Sequence, residues 1–189
     1  MMWKLGSILI IAVFYTVYLG KMIRQRKQGI RTDHMGKGKK DKSLVRTELI
    51  MKTVTYGIVA VQLVSIGSGW SLLPFGFRVG GILLGTAGVI LFTAAILTMQ
   101  ESWRAGIPDD EKTRMITGGI YQYSRNPAFL GFYLMYAGIL LLYFNWLLLI
   151  VTILAVGMLH LQILQEERYL PTVFGVEYQE YKQRVRRYF

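Results

Sequence analysis

The sequence contains no cysteine, only two histidines (His34 and His160) and only four prolines among its 189 residues. The absence of cysteine excludes disulfides, thiolate catalysis and Cys-based metal sites. Two histidines are too few for a His-rich metal site, so no metal is predicted. Repeats of fixed period and Pro- or Ser-rich linkers are also lacking, which favours a single domain over residues 1–189.

Long hydrophobic runs are what the chain does have, and 53% of its residues are hydrophobic. A span across a hydrocarbon core of about 30 Å takes roughly 20 apolar residues. The predicted fold class is therefore all-α: a polytopic membrane protein with about five transmembrane helices. The last two form a tight C-terminal helical hairpin that turns at Asn145. The predicted spans are Trp3 to Gly20, Leu49 to Leu73, Gly76 to Met99, Ala128 to Phe144 and Trp146 to Leu164.

The formal net charge of +11 is unevenly distributed. Eleven Lys and Arg lie between Lys21 and Lys52, four between spans three and four and five after span five, whereas only Lys4 and Arg78 lie on the other side. Short loops rich in Lys and Arg stay in the cytoplasm, which predicts an outside N-terminus and a cytoplasmic C-terminus. The polybasic loop begins at a span boundary, which favours contact with anionic lipid over nucleic acid.

The chain is expected to divide into residues 1–75, with two spans and the polybasic loop, and a core at residues 76–189. Within the core, Gly81 and Gly85 have the four-residue spacing that lets helix backbones approach closely, and they are interpreted as packing residues. Asn126-Pro127 is typical of a helix start. Arg125 is interpreted as an interfacial anchor whose charged head reaches water.

The segment after span five carries the adjacent carboxylates Glu166 and Glu167. A carboxylate at the edge of a span needs a cation or a water-filled cavity, so the pair serves either a structural salt bridge or a cationic ligand. Arg125, Arg168 and the basic residues of the final helix are the available partners. Pro171 is expected to discourage further helix. Beyond it, residues from Tyr178 onward predict an amphipathic C-terminal helix on the cytoplasmic membrane face.

Three motifs follow one another along the core: GIYQYSRNP at 119–127, EERYL at 166–170 and FGVEYQEY at 174–181. In order and setting they resemble the isoprenylcysteine carboxyl methyltransferase family and its wider relatives among the phospholipid N-methyltransferases. The resemblance covers mainly the chain from about Gly76 onward. It implies an integral membrane enzyme that uses S-adenosylmethionine and binds this cofactor at the end of the hairpin. The residues that the resemblance implies for the cofactor site are Tyr121, Arg125, Asn126, Pro127, Glu166, Glu167, Leu170, Phe174, Tyr178 and Tyr181.

By this resemblance Arg125, Asn126 and Glu167 are the candidate catalytic residues. A Glu carboxylate can pair with the ammonium of S-adenosylmethionine, and Arg125 with a carboxylate of cofactor or acceptor. Two positions depart from the family pattern: Asn126 stands where the family often has His, and Phe129 where it often has Tyr. Asn forms hydrogen bonds but does not titrate near neutral pH.

The predicted reaction is methyl transfer to a lipid-like or prenylated acceptor that enters from the membrane. A carboxylate acceptor is favoured because it needs no general base, whereas an amine must first lose a proton. Three alternatives remain: a phospholipid amine N-methyltransferase, an NADPH-dependent membrane sterol-type reductase, and a non-catalytic scaffold that binds anionic lipid.

Overall fold

The computed structural model describes residues 1–30, 42–103 and 114–189. Five α-helices make up these ranges together with short 3₁₀ turns, and the described residues include no β-strand. The helices are α1 (Met2–Lys27), α2 (Lys42–Ser68), α3 (Gly76–Met99), α4 (Pro127–Leu142) and α5 (Trp146–Arg184). The predicted all-α fold is confirmed. His34, Pro108 and residues 31–41 of the predicted polybasic loop lie outside the described residues.

Four of the described helices are long and apolar enough to cross a membrane: α1, Leu49–Ser68 of α2, Gly76–Ser102 and α5. The protein is therefore a multi-pass membrane protein. The fourth predicted span, α4, is apolar but has only 16 residues, which gives it a length of about 24 Å.

Contacts at the two ends of the bundle show that consecutive helices run antiparallel. At one end, Lys4 Nζ at the start of α1 donates to Gly67 O at the end of α2 at 2.7 Å. Arg78, near the start of α3, lies over the Tyr143 ring at the end of α4. At the opposite end, Gln25 of α1 donates to Trp103 O just after α3 at 3.2 Å. This second end also carries the start of α4 and the polar part of α5.

Glycines bring α3 and α4 into close backbone contact. A Cβ added at Gly88 would lie 2.6 Å from Met135 N, and one at Gly81 would lie 2.7 Å from Gly138 O. Only residues without a side chain permit this separation. The packing interpretation of the α3 glycines is confirmed, and it fixes α4 firmly against α3.

The tight turn between α4 and α5 occurs where the sequence predicts it. Asn145 precedes the first residue of α5, and its Oδ1 accepts a hydrogen bond from Leu148 N at 2.9 Å. This side chain therefore caps α5 and satisfies one of its free N–H groups. Phe144 O accepts from Leu72 N at 2.9 Å, which ties the turn to the segment between α2 and α3.

The course of α5 beyond the predicted span differs from the expectation. The helix continues through Pro171 and breaks only at Gly175, which has φ 55° and ψ −128°. The expectation that Pro171 discourages further helix is wrong here, because the proline removes one helical hydrogen bond and the chain nevertheless stays helical. The bond removed here is the one to the carbonyl of Glu167, four residues earlier. After Gly175 the chain forms the expected C-terminal helix as far as Arg184.

Candidate functional site

A group of charged and polar side chains, buried except for the partly exposed Arg187, lies where the start of α4 meets the polar part of α5. We call Arg125, Asn126, Glu167 and Arg187 the Glu167 cluster. Arg125 Nη2 lies 3.1 Å from both carboxylate oxygens of Glu167, and Arg125 Nε lies 3.3 Å from Oε1. Arg187 donates to Oε2 through Nε at 3.1 Å and Nη2 at 2.9 Å. Two guanidinium groups therefore donate hydrogen bonds to one carboxylate. This arrangement favours the ionised forms of Arg125, Arg187 and Glu167.

Arg125 does not act as the predicted interfacial anchor. Its side chain is only 8% exposed and is paired with Glu167. A second set of bonds leads to the C-terminal segment, where Nη1 donates to Val185 O at 2.6 Å and to Lys182 O at 3.2 Å. The Arg125 guanidinium is thus removed from water, and its N–H groups donate to the Glu167 carboxylate and to backbone carbonyl oxygens instead.

Asn126 and Pro127 begin α4 as predicted, with Pro127 as the first helical residue. The Asn126 side chain, however, does not cap the helix. Its Nδ2 donates instead to Glu167 Oε1 at 3.0 Å and to Arg187 O at 3.2 Å. Asn126 thus occupies the position before the first helical residue, as predicted, while its side-chain amide binds Glu167 and the Arg187 carbonyl instead of capping the helix.

The residues that hold Glu167 also hold the C-terminal segment in place. Arg125 N donates to Arg186 O at 3.0 Å, and Ser124 Oγ donates to Arg187 O at 3.2 Å. These bonds seat residues 185–187 against the start of α4. The bonds to Glu167 raise the pKa of Arg187 above its ordinary value, so Arg187 stays charged.

Three of the predicted aromatic residues form a buried wall beside the cluster. Tyr121, Tyr178 and Tyr181 are each at most 6% exposed. Tyr181 Oη donates to Tyr121 O at 2.7 Å, which joins the C-terminal helix to the turn before α4. Burial raises the pKa of the Tyr121 phenol well above its ordinary value. Tyr178 Oη is buried and has no hydrogen-bond partner among the described residues.

The remaining predicted site residues on α5 are Glu166, which directly precedes Glu167, and Leu170 and Phe174, which follow it. Glu166 is partly buried and accepts from Gln162 Nε2 at 2.9 Å. Leu170 and Phe174 are partly buried. They lie three and seven residues after Glu167, spacings that share one helix face. Glu166 is the adjacent position to Glu167 along the helix and points in a direction about 100° away from it.

Some residues of this region were not predicted. Arg187 was considered only as one of several basic residues near the C-terminus, and the RVRR cluster in the sequence was its signal. Ser124, which donates through its hydroxyl, was not singled out, and the carbonyl oxygen of Val185 gave no signal because a backbone acceptor carries no residue type. His160, whose role the sequence left open, hydrogen-bonds through Nδ1 to Tyr188 Oη at 2.5 Å.

A buried charged cluster at the end of an apolar helical hairpin marks the chain as an integral membrane protein with a polar site at one membrane face. The family model of phospholipid methyltransferases matches residues 76–177, which is more than half of the chain. The protein therefore belongs to the phospholipid methyltransferase family and is a membrane methyltransferase. No curated protein matches this chain. The narrower resemblance to isoprenylcysteine carboxyl methyltransferases is not confirmed; the family found is that of the wider relatives.

Proposed function

We propose that the protein transfers a methyl group from S-adenosylmethionine to a lipid acceptor that reaches the Glu167 cluster from the membrane. The observation that carries the proposal is the cluster itself, which lies at the end of the α4–α5 hairpin within a chain of this family. By the charge bias of the sequence, this end of the bundle faces the cytoplasm. Residues 76–189 then form the methyltransferase core, and residues 1–75 support it.

The charges of the described residues suit the cofactor. Arg125 and Arg187 bring two positive charges to one negative charge on Glu167, so the cluster retains one positive charge. That excess suits the cofactor carboxylate. The buried, unpartnered Oη of Tyr178 supplies one further polar contact, since buried hydroxyls are normally hydrogen-bonded.

The two carboxylates take different roles in this proposal. Five N–H groups of Arg125, Asn126 and Arg187 surround Glu167, so we assign it as the residue that positions both guanidiniums. Glu166 carries the second carboxylate, is partly exposed and lies next to it. We therefore assign Glu166 to the cofactor ammonium, with Tyr121, Pro127, Leu170, Phe174 and Tyr181 enclosing the remainder.

When bound, S-adenosylmethionine supplies an electrophilic methyl group on a sulfonium. The task of the protein is to hold the acceptor in line with that methyl, which binding accomplishes through proximity and orientation.

The preference for a carboxylate acceptor rested on a scarcity of titratable side chains. His160 and Tyr188, which directly follows Arg187 in the chain, form a hydrogen-bonded pair of titratable side chains. Such a pair can accept the proton that an amine must lose, so we propose an amine acceptor. The family description also favours a methyltransferase over the reductase and scaffold alternatives.

Calorimetric titration of the detergent-solubilised protein with S-adenosylhomocysteine tests the cofactor assignment. We expect saturable binding by the wild type. Loss of a hydrogen bond to a charged group, worth about 1.5–3 kcal/mol, should weaken binding by Glu166→Gln by about 10- to 100-fold. Glu177→Gln changes an exposed carboxylate in the C-terminal helix after Gly175 and should bind like the wild type. A folded wild-type protein that binds no S-adenosylhomocysteine would refute the proposal.

A further inference from the structure

Arg125 already uses all three of its guanidinium nitrogens within the protein. Nε and Nη2 donate to the Glu167 carboxylate, and Nη1 donates to the carbonyl oxygens of Lys182 and Val185. The hydrogen bonds are as numerous as the N–H groups of a guanidinium, and the side chain is only 8% exposed. A ligand would have to displace Glu167 or the C-terminal segment to reach Arg125. We therefore expect Arg125 to hold the site together and to leave ligand binding to another cation.

Arg187 is the second cation of the cluster, and its contacts leave one edge of its guanidinium open. Nε and Nη2 donate to Glu167 Oε2 at 3.1 Å and 2.9 Å, whereas Nη1 has no hydrogen-bond partner among the residues that the structure describes. The side chain is 35% exposed, so a ligand can approach this edge. Because Glu167 also stays paired with Arg125, an anion can bind Arg187 without breaking the cluster.

Tyr178 brings a second polar group to the neighbourhood of Arg187. Its side chain is only 2% exposed, and its hydroxyl interacts electrostatically with Arg187 and Glu167. The hydroxyl has no hydrogen-bond partner among the described residues, although buried hydroxyls normally have one. An oxygen of a bound anion would supply the missing partner.

The ligand group that fits these side chains is an α-amino acid. The Tyr178 hydroxyl also interacts electrostatically with Glu166, so a cation, Arg187, and an acid, Glu166, lie around one buried hydroxyl. An α-amino acid carries a carboxylate and an ammonium on the same carbon, and S-adenosylmethionine ends in such a group. Its carboxylate suits the N–H donors of a guanidinium, and its ammonium suits Glu166.

We propose that Arg187 Nη1 and the Tyr178 hydroxyl bind the carboxylate of the methyl donor. Arg125 is then a positioning residue, which holds Glu167 and the C-terminal segment. This inference rests on the proposed function and assigns one part of the same site. Arg187 and Tyr178 both lie beyond residue 177, where the family match ends, so that match does not assign either of them.

Two ligands that differ only in the carboxylate test the proposal. S-adenosylhomocysteine and its decarboxylated analogue, which keeps the ammonium, the thioether and the adenosine, are titrated calorimetrically into the detergent-solubilised protein. We expect the wild type to bind S-adenosylhomocysteine about 10- to 100-fold more tightly than the analogue, because the analogue lacks hydrogen bonds to a charged group. In Arg187→Gln the two affinities should come within about threefold of each other. Since both are measured on one variant, their ratio does not depend on the stability of that variant.

Tyr178→Phe tests the hydroxyl without changing any charge. The affinity for S-adenosylhomocysteine should fall about tenfold, and the affinity for the analogue should not change. Because the hydroxyl is unpartnered among the described residues, the ligand-free variant should have a Tm no lower than the wild type. Tyr143→Phe is the matched control: it removes another buried, unpartnered hydroxyl at the opposite end of the bundle and should bind both ligands like the wild type. An unchanged affinity, or a lowered Tm of ligand-free Tyr178→Phe, would overturn the role of Tyr178.

The control for Arg187 is Arg186→Gln, which removes the charge of an exposed neighbour and should keep the wild-type ratio of affinities. An unchanged ratio in Arg187→Gln, or an equal loss in Arg186→Gln, would overturn the inference, while binding of S-adenosylhomocysteine by the wild type would still support the proposed function. If Arg187→Gln does not fold, Arg187→Lys takes its place, and its ratio should lie below that of the wild type. If the folded wild type binds neither ligand, the proposed function fails and the inference fails with it.

The C-terminal segment gives a second measurement that does not depend on affinity. Ser124, Arg125 and Asn126 seat this segment through hydrogen bonds to residues 185–187. A ligand that contacts Arg187 must also stabilise this seating, because coupling between two binding events is reciprocal. At equal saturation, S-adenosylhomocysteine should therefore slow tryptic cleavage after Arg184 and Arg186 more than the analogue does. Equal protection by the two ligands would contradict a contact between the carboxylate and the segment.

Discussion

Replacing Glu167 with Gln should destabilise the folded protein strongly. The carboxylate is 5% exposed and accepts from both guanidiniums and from Asn126. A Gln amide keeps one acceptor oxygen and turns an NH₂ group toward a guanidinium, so about half of these bonds are lost and two positive charges remain without a counter-charge. Removing one partner of a buried ion pair costs about 3–5 kcal/mol. For a chain of this size that corresponds to a fall in Tm of about 6–20 °C.

Thermal unfolding in detergent, followed by circular dichroism, measures this effect. Glu177→Gln is the control, since it removes an exposed carboxylate from the C-terminal helix after Gly175 and should change stability by no more than about 0.5 kcal/mol. Limited proteolysis should also show earlier cleavage after residue 184 in Glu167→Gln, because Arg187 loses its partner. If both variants unfold within about 1 °C of the wild type, the cluster does not hold the C-terminal segment and the reasoning is wrong.

Two glycine substitutions test the packing and the backbone break. Gly88→Ala should destabilise the protein by about 1–3 kcal/mol relative to Gly80→Ala, because an added Cβ at Gly88 meets backbone atoms of α4 whereas one at Gly80 meets nothing within 4 Å. Both variants gain the same helix propensity. Equal unfolding temperatures of the two variants would contradict the close approach of α3 and α4. Gly175→Ala should cost about 1–3 kcal/mol from its positive φ alone, and an unchanged Tm in the same assay would show that the break tolerates a side chain.

The hydrophobic pattern was sufficient to predict the helices and their order. The turn at Asn145 and the start of α4 at Pro127 were also predictable, since capping residues and prolines act locally. The continuation of α5 past Pro171 to Gly175 was not predictable, because the local effect of a proline disfavours helix. Local signals thus determine where helices begin more reliably than where they end.

The candidate site was partly predictable for a similar reason. A carboxylate near a span requires a cation, and Arg125 at the same end of the hairpin was one of the expected partners of the Glu pair. Which of Glu166 and Glu167 would take that partner depends on a rotation of 100° about the helix axis, and that rotation is set by the packing of α5. Arg187 could not be chosen among the basic residues because its position depends on hydrogen bonds from the Ser124 hydroxyl and the Arg125 backbone N–H to the C-terminal segment.

The short length of α4 has a consequence for the surrounding membrane. Its 16 residues extend about 24 Å, some 6 Å less than a hydrocarbon core of about 30 Å. A bilayer meets a short span by thinning locally. Because α4 begins at the Glu167 cluster, we expect lipid headgroups to lie deeper beside α4 than beside the longer helices, and so nearer to the cluster at which we propose that the acceptor is methylated.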